Sequence, residues 1–399
     1  MRGQAGQRFR SYQGWQRGGL RGVTSSAAAL TGAAVAVAVA AGVLVAPGAS
    51  ATGRAHGDSV QQGLDRLVRA DGVPAALASV NGDRKGERAL TYTAGVGDLA
   101  TGAAVPRDGQ VRIGSNTKAF TAVVVLQLVA EGRMRLDDSV DTYLPGLVRG
   151  DGIDGRKIKV RQLLQQTSGL PNYTKGDLQP RYYEPRELLD IALEYKSEFD
   201  PGESWAYSNT NYVVAGLIVE KVTKRTVAQE IDRRIVERLG LRHTYFPAPG
   251  DATIREPHPK GYYQEAPGAP LRNITELDPS WTWAAGQLIS TNSDLNRFYT
   301  ALLTPGRLLP KPQLDQMRTT VRADYFGKGA RYGLGIVSRP LSCGDVYWGH
   351  GGSYPGYETR GGATDDGRAA DVAVTVQPTD KAVMSHVDEV VDTALCRRR

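Results

Sequence analysis

With 399 residues, 41% of them hydrophobic and 23% charged, the chain can bury a large core and is neither disordered nor fibrous in composition. Its formal net charge of +7 invites a nucleic-acid reading, but five arginines (Arg2, Arg8, Arg10, Arg17, Arg21) and no acid stand in residues 1–51, leaving 44 basic against 42 acidic side chains in the rest. The folded part therefore lacks the charge excess that phosphate binding needs, which argues against nucleic acid as a partner.

In chain order, residues 1–51 read as a signal peptide: a basic stretch to Arg21, an uncharged Ala/Val/Gly run from Val23 to Thr52, and the small-x-small site Ala49-Ser50-Ala51. This predicts a secreted, extracellular protein. The same run is long enough to serve instead as an N-terminal membrane anchor. An amphipathic helix is predicted over Val60 to Arg69, then strands over Ala75 to Val80 and Ala89 to Ala94, separated by the turn-rich Asn81-Gly82-Asp83. Lys118 to Glu131 is apolar nearly all round, as a helix buried in the middle of the fold must be. From Leu136 to about Trp283 helices alternate with loops rich in Pro, Gly, Tyr and Asn. The clearest are Tyr212 to Val222 and Val227 to Leu239, the latter closed by Gly240. A helix over Ser293 to Leu303 follows. Strand-like runs return at Tyr332 to Ser338, Val346 to Trp348, Tyr357 to Arg360 and Asp371 to Val376, and a helix over Val383 to Leu395 ends the chain. Strands at both ends and helices between predict an α+β fold, with a sheet lobe (58–112 and 288–399) enclosing a mostly helical lobe (113–287).

Three short signatures carry the chemistry. In Ser115-Asn116-Thr117-Lys118, helical spacing puts serine and lysine on one face, a turn apart. A lysine at the start of so apolar a helix is desolvated, which lowers its pKa and lets it accept a proton. Tyr207-Ser208-Asn209 offers a phenol to carry a proton to a leaving group and an amide suited to a substrate amide. Gly349-His350-Gly351-Gly352 ends an aromatic strand, and its glycines let a substrate backbone come close, with the N–H of Ser353 able to join that of Ser115 in an oxyanion hole. Singly, each has a plain structural explanation: a capping serine, a loop of N-cap residues, a histidine in a glycine-rich turn. In this order they describe an acyl-transfer site with Ser115 as nucleophile and Lys118 and Tyr207 as proton carriers. Cys343 and Cys396, the only cysteines, either form a disulfide, as an even pair in an exported protein would, or remain two buried thiols. Five scattered histidines and no Cys-x-x-Cys give no zinc ligand set, and the chemistry calls for neither metal nor cofactor.

The chain also resembles the serine β-lactamase and penicillin-binding superfamily and, more narrowly, the secreted D-alanyl-D-alanine carboxypeptidases related to class C β-lactamases. The likeness covers about residues 58–397. Besides the three signatures it rests on Val111-Arg112-Ile113-Gly114, Thr167-Ser168-Gly169-Leu170, Pro201-Gly202-Glu203, Tyr212, Tyr332-Gly333-Leu334-Gly335, Leu341-Ser342-Cys343-Gly344 and Cys396. The resemblance implies an antiparallel sheet flanked by helices, Ser115 as nucleophile, Lys118 as its activator and Tyr207 as acid/base. It implies Asn209 as a substrate ligand and Trp281 as a cleft tryptophan. His350 stands where class C β-lactamases have lysine and these carboxypeptidases have histidine. Gly351 replaces the threonine of the usual His-Thr-Gly. The arginine expected near Val337 for a substrate carboxylate is missing, and Arg339 is the nearest candidate on that strand face. The expected activity is removal of terminal D-Ala from peptidoglycan-type peptides, with β-lactams as inhibitors and no obligate protein partner. Esterase, D-amino-acid amidase or β-lactamase action is the alternative within the superfamily, and a non-catalytic β-lactam- or wall-sensing protein the alternative outside catalysis.

Overall fold

The computed structural model describes residues 51–81, 89–266, 268–378 and 380–396; the stretch predicted as a signal peptide, up to residue 50, and the Gly82-Asp83 tip of the predicted turn lie outside the described residues. The first helix, α1 (Ala51–Arg69), starts earlier than its predicted amphipathic stretch. Next come β1 (Ala75–Val80), β2 (Leu90–Gly95), the central helix α2 (Thr117–Ala130), and α3 (Thr210–Thr223) behind the Tyr207-Ser208-Asn209 loop. α4 (Asn292–Leu303) precedes a run of strands: β3 (Val321–Arg322), β4 (Arg331–Tyr332), β5 (Val337–Pro340), β6 (Val346–Gly349), β7 (Gly352–Tyr354), β8 (Tyr357–Thr364) and β9 (Ala369–Val374). The last helix is α5 (Lys381–Leu395). Among the described residues, no helix is long and apolar enough to cross a membrane.

The nine strands make one antiparallel sheet in the order β2-β1-β9-β8-β6-β5-β4-β3, with β7 pairing off β8. Strand alternation sends side chains to two faces. Ala76, Ala78 and Val80 of β1 and Val372 and Val374 of β9 pack with Val60, Leu64 and Leu67 of α1 and Val387 and Val391 of α5. The opposite face receives α4. Behind α4 lies α2, twelve of whose fourteen residues are buried, which is why no polar stripe appears in its sequence. Phe120 of α2 stacks on Phe298 of α4 at 3.8 Å between ring centroids, tying the helical layer to the sheet layer. A disulfide joins Cys343, in the loop between β5 and β6, to Cys396 at the end of α5.

Two predicted elements are broken in the structure. The run Tyr332 to Ser338 is two strands, because the chain reverses at Gly335 (φ +84°), where a Cβ would lie 2.5 Å from Cβ of Ala122. The helix over Val227 to Leu239 contains a π turn at Asp232–Val236.

Asp371 of β9 sits opposite Ser79 of β1 and Gly361 of β8. It is fully buried, and neither carboxylate oxygen finds a hydrogen-bond partner among the described residues. Burial pushes its pKa well above the usual carboxylate range, so the folded state favours the protonated form. Stability tied to this group is therefore complete below the unfolded-state pKa of about 4 and is lost as pH rises. Asp371→Asn is expected to raise the unfolding free energy at neutral pH by about 1–3 kcal/mol and to flatten its pH dependence. Urea unfolding at pH 5 and pH 8 checks this; a variant less stable than wild type at pH 8 would contradict it.

Candidate active site

Ser115 lies in a single 3-10 turn, Gly114–Asn116, that runs directly into α2. Gly114 has φ +48°, and a Cβ there would stand 2.7 Å from the Ser353 carbonyl oxygen; a Cβ on Gly352 would stand 1.9 Å from that of Ile113. The turn bearing the serine and the His350–Ser353 segment thus meet backbone to backbone, a contact only glycine permits. It places the N–H groups of Ser115 and Ser353 on facing segments, as two oxyanion donors require.

Lys118, one turn into the helix, is fully buried. Its Nζ reaches Ser115 Oγ at 2.9 Å, Asn209 Oδ1 at 2.7 Å and the Ala285 carbonyl oxygen at 2.7 Å. Burial drives its pKa well below the ordinary lysine range. A neutral amine has two N–H bonds and one lone pair. Asn209 and Ala285 offer only acceptors to it, so they take the two hydrogens and the lone pair faces the Ser115 hydroxyl. That is the arrangement of a base about to receive a serine proton.

The loop that brings Tyr207 and Asn209 is fixed by the Gln166–Asn172 segment. Gln166 Oε1 accepts from Ser208 N and Asn211 Nδ2, Ser168 Oγ donates to Asn211 Oδ1, and Asn172 Oδ1 accepts from Asn209 N. Gly169 (φ +76°) lets the segment turn where a Cβ would strike the Phe199 carbonyl. The Tyr207 ring centroid is 4.9 Å from Lys118 Nζ. Tyr325 stacks on that ring at 5.6 Å and Phe326 meets it edge-on at 5.8 Å.

His350 is buried. Its Nδ1 is 2.5 Å from the Gly351 carbonyl oxygen and its Nε2 is 3.2 Å from the Tyr332 hydroxyl. A carbonyl can only accept, so Nδ1 carries the hydrogen and Nε2 accepts from Tyr332. Burial above all, with the Arg360 charge in support and the Gly351 bond opposing, holds its pKa down to about 3, so the ring is neutral. It brings a hydrogen-bonded wall to the site and no positive charge.

Ser115, Tyr207, Asn209, His350, Ser353 and Arg339 share one cleft of about 620 Å³. Arg339 is engaged there: its two Nη atoms donate to the Asp388 carboxylate of α5 at 2.6 and 2.8 Å. The expected cleft position of Trp281 is corrected. Its ring packs on Tyr354, 5.8 Å between centroids, and it does not line the cleft. Sequence reasoning missed Gln166, Asn172, Tyr325, Phe326, Glu358, Arg360 and Asp388. Only the aromatic pair Tyr325-Phe326 next to Gly327 carried a readable signal, two large rings in an otherwise polar loop.

The model of the Beta-lactamase family matches residues 25–386. Among solved structures, a D-stereospecific amidohydrolase from Streptomyces sp. is 39% identical with a TM-score of 0.76, over 86% of this chain and 99% of that one. The D-amino acid amidase from Ochrobactrum anthropi SV3, complexed with D-phenylalanine, is 26% identical with a TM-score of 0.74, over 85% and 98%. Among curated proteins, Protein flp of Staphylococcus aureus (strain MW2) is 30% identical over 48% of this chain and 38% of its own length. The putative penicillin-binding protein PbpX of Bacillus subtilis is 29% identical over 58% and 54%. The matches span about half the length of these curated relatives, or less.

Proposed function

The chain belongs to the Beta-lactamase family, and within it we propose a serine amidohydrolase that cleaves the amide bond following a D-amino-acid residue and releases an uncharged leaving group. The observation that carries the catalytic part is the buried Lys118, its pKa lowered by desolvation, within hydrogen-bond distance of Ser115 Oγ and held by Asn209 and Ala285. Lys118 takes the Ser115 proton as Oγ bonds to the carbonyl carbon, and the N–H groups of Ser115 and Ser353 hold the oxyanion. Tyr207 passes a proton to the departing nitrogen as the C–N bond breaks. Water then attacks the ester, gives up its proton through the same groups, and frees the acid with Ser115 restored.

The choice of amide over carboxypeptide rests on charge. His350 is neutral, Gly351 has no hydroxyl, and Arg339 is engaged by Asp388, so the features expected to meet a terminal carboxylate are absent or occupied. The amidohydrolase likeness points the same way. A D-alanyl-D-alanine carboxypeptidase is the second reading, favoured by the presence of Arg339 and Arg360 in the cleft wall. The basic-then-apolar N-terminus and the disulfide support export to an oxidising compartment.

Hydrolysis of D- and L-phenylalaninamide, an acyl-D-Ala-D-Ala peptide, a chromogenic cephalosporin and a short-chain ester, measured side by side, tests this. The D-amide is expected to give the highest kcat/KM. A faster dipeptide would establish the second reading, and no turnover of any of the five would leave the sensor interpretation.

A further inference from the structure

Next to the nucleophile the cleft wall holds a charge arrangement that none of the three signatures accounts for. A Cβ on Gly351 would lie 2.6 Å from Arg360 Nη1 and 3.0 Å from Cζ, so the Arg360 guanidinium fills the space a side chain at 351 would take. Arg360 reaches there from β8. Its Nη1 pairs with Glu358 and donates to the Thr359 carbonyl at 2.8 Å, while Nε is 3.7 Å from Asp388 Oδ1. Arg360, Arg339 and Asp388 line the same cleft as Ser115. Glu358 is 1% exposed. Burial raises its pKa, and Arg360 and the Ser353 side chain draw it back. Of the two arginines on the wall, Arg339 thus pairs with Asp388 on the same wall and Arg360 with Glu358, which lies buried behind it.

We propose that Glu358 is a positioning and specificity-determining residue: by neutralising Arg360 beside Gly351 it keeps the leaving-group side of the cleft without net charge, which selects an amide end over a carboxylate end. This rests on the amidase reading above. With Glu358 uncharged, Arg339 and Arg360 face Asp388 alone, and the surplus cation sits beside the position the leaving group occupies. A terminal carboxylate then gains a charge-assisted partner that a neutral amide cannot use to the same degree.

The test uses two substrates with the same acyl group, one ending in a D-alaninamide and one in D-alanine, on the full-length protein. Glu358→Gln is expected to raise the carboxylate-to-amide ratio of kcat/KM by about 10- to 100-fold, with the gain shrinking as salt rises. Asp388→Asn removes the more exposed carboxylate and is expected to shift the ratio the same way by less, which keeps the test usable if Glu358→Gln does not fold. A purely structural role would lower both rates together, and that result overturns the proposal. A wild-type preference for the amide that survives in both variants sinks this inference alone. A wild-type preference for the carboxylate end sinks it together with the amidase reading.

Discussion

Ser115→Ala is expected to lower kcat/KM on the preferred amide by at least about 10⁴-fold, with the melting temperature nearly unchanged. In the proposed mechanism Oγ is the atom that bonds to the substrate carbonyl, and the oxyanion donors and cleft walls that remain after its loss stabilise the transition state only partly. The substitution spares the fold for a local reason. Ser115 sits in a turn whose geometry is set by Gly114 and by Asn116, whose Nδ2 donates to the Ile113 carbonyl at 3.1 Å and to Thr359 Oγ1 at 2.8 Å. Lys118 keeps Asn209 and Ala285 as partners. Intact-mass analysis gives a second readout: one penicillin adduct on wild type and none on the alanine variant. Retained activity, or an adduct on Ser115→Ala, would mean that another nucleophile does the chemistry.

Lys118→Met is expected to cost about 10²- to 10⁴-fold in the acylation step, and Lys118→Arg about as much, since a guanidinium cannot give up its proton at working pH. The pH dependence separates a base from a spectator. Burial lowers the Lys118 pKa well below the lysine range. Falling pH charges the amine as it passes through this depressed pKa. Activity and the stability tied to this group both decline in that acid direction. Wild type is expected to show an acid limb in log kcat/KM against pH that Lys118→Met lacks. An identical limb in both would assign the titration to some other group.

Much of the site was legible because its parts are short and local. The Ser-x-x-Lys spacing and the unbroken apolar run behind it were enough to place a nucleophile and a desolvated amine on one helix face. The glycines of 349–352 were read as room for a substrate backbone; at Gly352 the structure instead brings the protein's own Ile113 backbone close, a contact the sequence did not announce. What could not be read came from partners far along the chain. Nothing near Lys118 announces that the Ala285 carbonyl, 167 residues later, takes one of its hydrogens. Nothing near Arg339 announces that Asp388 holds both its nitrogens. In the sequence Gly351 reads as a lost hydroxyl; in the structure Arg360 fills the space beside it. The run Tyr332 to Ser338 alternates well enough for one strand, and only the contact of Gly335 with Ala122 of the central helix makes it two.

The covalent link between Cys343 and Cys396 bears on the selectivity proposed for the leaving-group side of the cleft. It fastens the far end of the helix that supplies Asp388, two turns upstream, to the loop that follows Arg339. Under reducing conditions that helix would be held by packing and by polar contacts such as Arg339–Asp388 and Ser342–Asp392, while Lys118, buried in the interior, would hardly be affected. Thiol–disulfide balance would then be read out in which bonds are chosen sooner than in how quickly any of them is broken.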